Sequence, residues 1–163
     1  MCSSDLYMQR VDIARGWLAR IQVLEYQRGF HNGHIGWAPM NALLIISGAF
    51  GVFRRTTLVA AGGFSTRTIG EDMEVTMRLH RFHRLAGRAY RIAFVPDAVC
   101  WTEAPESLAV LRSQRTRWQR GLMESLWTHR TLFFHRRAGT VGWLACPAML
   151  LIEGLGPLVE LLG

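Results

Sequence analysis

The chain contains no lysine. All nineteen basic residues are arginine, and with twelve acidic residues they leave a formal charge of +7 over 163 residues. Arginine is the better partner for planar, bidentate contacts to phosphate and carboxylate. A shifted genomic base composition also replaces lysine wholesale, so the absence by itself names no ligand. The positive balance points to anionic partners: nucleic acid, anionic lipid or a phosphorylated small molecule. Cysteine is scarce as well. Cys2, Cys100 and Cys146 are odd in number and lack metal-ligand spacing, which speaks against a disulfide framework and fits a reducing compartment. The opening "MCSSDLYMQR" has no basic region followed by an apolar run, so no signal peptide is expected there. Internal repeats and low-complexity segments are lacking too. The length suits one ordinary domain with a sizeable core.

What is present is apolar and falls into segments. Half of the residues are hydrophobic and six are tryptophan. Residues 11–30 carry Ile13, Trp17, Ile21 and Leu24 at helical spacing, and Gly29 with "HNGHIGW" ends that helix. "ALLIISGAFGVF" (42–53) is a short apolar run closed by glycines, which predicts a buried strand leading into a loop. "RRTTLVAAGGF" predicts a short helix ended by Gly62 and Gly63. From Asp72 to about Leu85 runs an amphipathic helix. Val75, Leu79 and Phe82 share a face of it, and Glu74 and Arg78 are spaced to pair. His80 and His83 are expected on its surface. "YRIAFVP" (90–96) predicts a strand stopped by Pro96, and Pro105 suits the first turn of a long helix over 106–128. Strands alternating with helices imply an α/β layered domain.

The end of the chain differs. "TVGWLACPAMLLIEGLGPLVELLG" (140–163) is nearly all apolar, close to the about 20 apolar residues that span a bilayer. Glu153, Glu160, Pro147 and Pro157 weaken that reading. Arg136 and Arg137 stand directly before the run, as positive-inside flanking predicts. "LMESLWTHRTLFFHRR" mixes Trp127, Phe133 and Phe134 with basic residues, a composition suited to a membrane interface. The competing reading is a hydrophobic core helix.

Two constellations carry chemistry. In "RTIGEDMEVTMRLHR" (67–81), Glu71 and Asp72 follow a glycine and precede the helix. Thr68 and Glu71 match a capping box, and Asp72 would be stabilised by the helix N-terminus. The alternative is catalytic: an ionised carboxylate at the edge of a cleft can accept a proton. In "SQRTRWQRG" (113–121), Gln114, Arg117, Trp118 and Gly121 share one helix face. An amide, a guanidinium, a flat aromatic and a gap suit a sugar, with Arg115 and Arg120 adding charge. The bland alternative is a packing face anchored by tryptophan.

Together, "SGAFGVFRR…AAGGF…TIGEDMEVTMRLHR…FVPDAVCWTEAP…QRTRWQRG" resembles the second half of a processive family-2 glycosyltransferase. That group includes cellulose, poly-N-acetylglucosamine and hyaluronan synthases. The resemblance runs from about residue 12 to the C-terminus. It implies the acceptor half of a GT-A-type α/β domain over 1–123, an interfacial helix over 124–139 and the start of a transmembrane helix over 140–163. The implied protein is an inverting enzyme of the inner membrane with its catalytic part on the cytoplasmic side. It would move sugar from a nucleotide sugar, in particular a UDP-sugar, to a glycan acceptor. Asp72 matches the general base, with Glu71 beside it. Gln114, Arg115, Arg117 and Trp118 match the Q-x-x-R-W motif that meets acceptor and diphosphate. Ser47 and Gly48 match a loop near the acceptor end. Gly70 stands where many members carry threonine, a departure expected to loosen the loop.

The resemblance also implies Mg²⁺ or Mn²⁺ held by a D-x-D motif. The aspartates here are Asp5, Asp12, Asp72 and Asp97, and no two have that spacing. The metal ligands and donor site are therefore expected outside this chain, which by itself is expected to be inactive, with the 42–53 strand short of sheet neighbours. The rival reading is a catalytically inactive, membrane-bound interaction module derived from the same fold. Nucleic acid is not expected as a partner, because the arginines are scattered along the chain. Nucleic-acid binding of electrostatic origin is strongest at low salt, so no retention of DNA or RNA is expected there, as a filter-binding titration would show.

Overall fold

The computed structural model describes residues 4–6, 9–11, 17–26, 33–48, 51–95, 100–102, 105 and 107–155. Two short parallel pairings form two separate two-stranded sheets. Strand β1 (Ser4–Leu6) pairs with β3 (Ala93–Val95), and β2 (Gln9–Val11) pairs with β4 (Cys100–Thr102). Parallel neighbours need long crossovers, and the helices supply them. The α/β expectation therefore holds only in outline, since the described residues are mostly helical. The strand predicted over 90–96 is β3, with Pro96 outside the described residues.

Helix α1 (Trp17–Tyr26) lies inside the predicted 11–30 helix; Val11 belongs to β2, and Ile13 and Gly29 fall outside the described residues. Its regular apolar positions do not face the core. Trp17, Ile21 and Leu24 are 67%, 52% and 66% exposed, whereas Gln22 and Tyr26 are buried. Gln22 Nε2 donates to the Pro105 carbonyl at 3.0 Å, and the Tyr26 ring sits 6.2 Å from that of Trp118. These long-range contacts turn the opposite face inward. A short helix α2 (Gly33–Trp37) forms where the sequence suggested only a helix end.

The run over 42–53 is not a strand among the described residues. Residues 42–47 have no regular secondary structure, and their side chains point two ways. Ala42 and Leu44 join Met73, Met77, Leu122 and Leu126, while Leu43 and Ile46 join Ile92. Side chains, not a ladder, bond part of the backbone here. His80 Nε2 donates to the Leu43 carbonyl at 2.7 Å, His34 Nε2 to the Ile45 carbonyl at 2.9 Å, and Asp72 accepts from the Gly48 N–H. A buried carbonyl left unpaired is costly, so the role of these histidines is structural.

Helix α3 (Arg55–Ala60) ends at Gly62 and Gly63, which take φ of +101° and +72°. Helix α4 (Glu71–Leu85) has Glu71, Asp72 and Glu74 in its first turn and Arg84 in its last, complementing the helix dipole. It is buried well beyond the predicted stripe: Met73 through Met77 are all inside, as are Leu79, His80 and His83. The surface expectation for His80 and His83 is thus corrected. His80 is fully buried, donates to Leu43 and accepts from the Tyr90 hydroxyl. Tyr90 in turn accepts from Arg84 Nε at 2.7 Å. The Glu74–Arg78 pair forms as spaced, but Glu74 is buried and also accepts from His129 Nε2 at 2.8 Å.

Helix α5 (Leu108–Thr128) starts after Pro105, not on it; Ser107 caps it, its Oγ accepting from Val110 N at 3.3 Å. Residues 124–139 are not a separate helix. α5 continues to Thr128, and 3₁₀ turns come next at Arg130–Leu132 and Arg136–Ala138. Helix α6 (Cys146–Met149) lies between π-helical stretches Val141–Ala145 and Leu150–Gly154. Among the described residues no helix is long and apolar enough to cross a membrane, and residues 156–163 of the predicted span lie outside them.

These buried groups set a pH dependence. Burial, with Arg84 and His83 nearby, lowers the His80 pKa from 6.5 to about 4. The unfolded chain then binds a proton that the native state refuses, so stability falls as pH drops from 6.5 towards 4. Burial would raise the Glu74 pKa, but hydrogen bonds and charge from His129 and Arg78 outweigh it and hold the carboxyl at about 2, against 4.5 ordinarily. Its stabilisation is complete above pH 4.5 and is lost towards 2. Glu74→Gln is expected to remove this lower limb and, by leaving Arg78 without its buried counter-charge, to cost about 3–5 kcal/mol at neutral pH. Denaturant unfolding as a function of pH checks both.

Candidate active site

Two walls meet where α4 begins. The first is the turn "IGED". Gly70 precedes α4 and offers no side-chain cap. The expected capping box does not form. The Thr68 hydroxyl is buried without a hydrogen-bond partner, and Glu71 is exposed. Asp72 caps its own turn instead: Oδ1 accepts from Met73 N at 2.8 Å, and Oδ2 accepts from Gly48 N at 3.0 Å. Gly48 of the "ISGAF" loop therefore orients the carboxylate, with Ser47 half-buried beside it. Burial raises the Asp72 pKa and the Glu71 charge adds to this, against the lowering effect of the Met73 and Gly48 N–H groups; the net shift is upward.

The second wall is α5. Arg117 and Trp118 face the turn, and with Ile69, Gly70, Glu71, Asp72 and Met73 they line a cavity of about 220 Å³. Trp118 is half-buried, packed on one side against the core. The other two members of the motif point elsewhere. Gln114 bonds the Tyr26 hydroxyl of α1. Arg115 pairs with Glu25 of α1 and lies over the Trp118 ring, 5.1 Å from its centroid. Glu25 and Tyr26 thus brace the tryptophan from behind. The Glu25–Arg115 contact spans 90 residues of sequence, and no local pattern announces it.

The loop before Gly70 is tied to α5 as well. Ile69 N donates to Glu124 Oε2 at 3.3 Å, and Glu124 pairs with Arg120 at 2.7 Å. Gly70 is not slack, as the missing threonine suggested; it is buried against Gly121. A groove of about 760 Å³ shares Ile69 and Arg117 with this cavity and is lined further by Ala109, Arg112, Ser113, Thr116 and Arg120. Its guanidinium groups make that end electropositive. Among the described residues no group of three or more His, Cys, Asp or Glu side chains could hold a metal ion. Both Asp72 oxygens already accept backbone N–H groups.

Known proteins share this arrangement of sequence. The chain is 36% identical over 109 residues to the poly-β-1,6-N-acetyl-D-glucosamine synthase of Staphylococcus aureus (strain COL), covering 67% of this chain and 25% of that protein. It is 32% identical over 115 residues to the synthase of the same name from Staphylococcus epidermidis, covering 68% of this chain and 26% of that protein. The chain spans about a quarter of the length of these relatives. The match to glycosyl transferase family group 2 runs from residue 4 to residue 162, nearly end to end, and the chain belongs to that family.

Proposed function

We propose that this chain is the acceptor-side part of an inverting glycosyltransferase that moves a sugar from a nucleotide sugar to a growing glycan. The observation that carries this is the single cavity shared by Glu71 and Asp72 with Arg117 and Trp118, residues far apart in sequence. In this reading the acceptor sugar stacks on Trp118 and presents a hydroxyl to Asp72. Asp72 takes the proton as the hydroxyl oxygen attacks the anomeric carbon, and the nucleoside diphosphate leaves. An upward-shifted carboxylate is a stronger base than an ordinary one while remaining ionised above its pKa. The Gly48 N–H holds it in one orientation. Glu71, exposed at the rim, adds negative charge beside it and is placed to meet the acceptor. Arg117 and the electropositive groove favour the anionic side of the reaction. Gln114 and Arg115 act through their contacts with Tyr26, Glu25 and Trp118.

Mg²⁺ or Mn²⁺ is expected with this chemistry, but the described residues offer no ligand set for it, and no step above is routed through it. The names of the relatives make UDP-N-acetylglucosamine the first donor to test.

The same reading includes lipid as a partner and the cytoplasmic side of the inner membrane as the location. Its support is an exposed apolar set, Trp127, Phe134, Trp143, Leu151 and Ile152, with Arg130, Arg136 and Arg137 exposed nearby. Such a mixture suits the headgroup boundary. Co-sedimentation with anionic vesicles is expected, and it should weaken in Trp127→Ser/Trp143→Ser.

The test of the reaction uses membranes carrying the intact protein and reads nucleoside diphosphate release from several UDP-sugars. Asp72→Asn is expected to lower turnover about 10²-fold or more, the usual size of a general-base effect. The acid limb of the wild-type profile should lie above the ordinary carboxylate range, because the base is lost as pH falls through its raised pKa. Full activity in Asp72→Asn would sink the assignment.

A further inference from the structure

We infer that the contact between Gly70 and Gly121 sets the separation of the two walls of the cavity, making both glycines positioning residues for the transfer. The inference rests on the reading of that cavity as the acceptor site. A Cβ on Gly121 would stand 2.9 Å from both Cα and N of Gly70. A Cβ on Gly70 would stand 3.1 Å from Cα of Gly121. The opposing atoms are backbone, so no side chain can swing aside to make room.

The contact sits within one helical turn of Glu71, Asp72, Arg117 and Trp118. Gly70 directly precedes Glu71 and Asp72, and Gly121 comes one turn after Arg117 and Trp118. Deeper in the interface the buried Glu74–His129 bond, 2.8 Å long, already joins α4 to the residue that caps the C-terminus of α5. An added methyl group therefore cannot be absorbed by sliding the helices apart as rigid bodies without disturbing that bond. The loop at residues 67–70 gives way instead, and it carries the turn that presents Glu71 and Asp72. Glycine inside a helix is otherwise unfavourable relative to alanine. At position 121 the close approach accounts for its presence.

The experiment compares Gly121→Ala and Gly70→Ala with the control Gly36→Ala, a helical glycine whose Cβ would meet nothing within 4 Å. Two quantities are read on the intact protein. One is hydrogen exchange at the Ile69 amide, which bonds Glu124 of α5 across the contact. The other is the split of steady-state transfer into kcat and donor KM. In Gly121→Ala the Ile69 amide is expected to exchange about tenfold faster, as local opening becomes easier. Its kcat is expected to fall about tenfold or more, the usual penalty for a misplaced base, with donor KM unchanged. Gly70→Ala should show both effects more weakly, and Gly36→Ala neither.

Wild-type exchange and kcat in Gly121→Ala would overturn the inference. So would faster exchange spread throughout α4 and α5, which would mark general destabilisation. Should Gly121→Ala not fold, Gly70→Ala carries the test, and wild-type exchange and kcat there would overturn it. A wild-type protein with no transfer activity would instead remove the proposed function, while the exchange measurement would still decide the spacing.

Discussion

Helix α4 is buried over most of its length, so the charged and polar groups Glu74, Arg78 and His80 must find partners inside the fold, while His83 stacks on the Tyr90 ring. That constraint organises the molecule. Glu74 is held between Arg78 and His129, which brings the end of α5 onto α4. Arg78 also donates to the Gly63 carbonyl at 2.8 Å, anchoring the turn after α3. His80 takes the Leu43 carbonyl and the Tyr90 hydroxyl, so one imidazole fastens the 42–47 segment and the approach to β3. Asn41 completes the same network, donating to the Tyr90 carbonyl and accepting from Ile92 N. Burial keeps His80 neutral and pushes the Tyr90 hydroxyl up to about 12. The cluster is therefore uncharged apart from Arg84, and its bonds persist through the neutral range.

The candidate site inherits its rigidity from this arrangement. Asp72 opens the helix that the core immobilises, and its carboxylate is clamped between two backbone N–H groups. Trp118 lies on the facing helix, packed against the core and braced by Tyr26 and Arg115, and it still lines the cavity. That is the kind of support a reacting geometry requires, since a displacement of about 1 Å can cost two orders of magnitude in rate. The charges are also arranged asymmetrically: two carboxylates at one end of the cavity, and arginines at the other and along the neighbouring groove.

The parts legible in the sequence were those set by neighbours along the chain. The extents of α3 and α4, the Gly62–Gly63 stop and the Glu74–Arg78 pair are all set by spacing over a few residues. The "ED" and Q-x-x-R-W segments were visible for the same reason. Local pattern misled where a distant partner chose the outcome. Residues 42–47 have the apolar character of a buried strand, yet His80, His34 and Asp72 take the places of ladder partners. Trp17, Ile21 and Leu24 mark a regular apolar face of α1, yet Tyr26 and Gln22 face inward because Trp118 and Pro105 wait for them. Thr68 had the spacing of a cap and lost that place to Asp72.

The sequence by itself determined the family resemblance, the helical periods, the pairing of residues four apart and the two chemical motifs, because these depend on residue identity and short-range geometry. Only the tertiary structure decided that Arg117 and Trp118 share a cavity with Glu71 and Asp72 while Gln114 and Arg115 turn to α1. It also decided that His80 and His83 lie inside, and that Gly70 and Gly121 touch. The physical reason is the same in each case. Which face of a helix is buried, and which polar atom finds a partner, is set by what packs against it from elsewhere in the chain, and periodicity along one element carries no information about that neighbour.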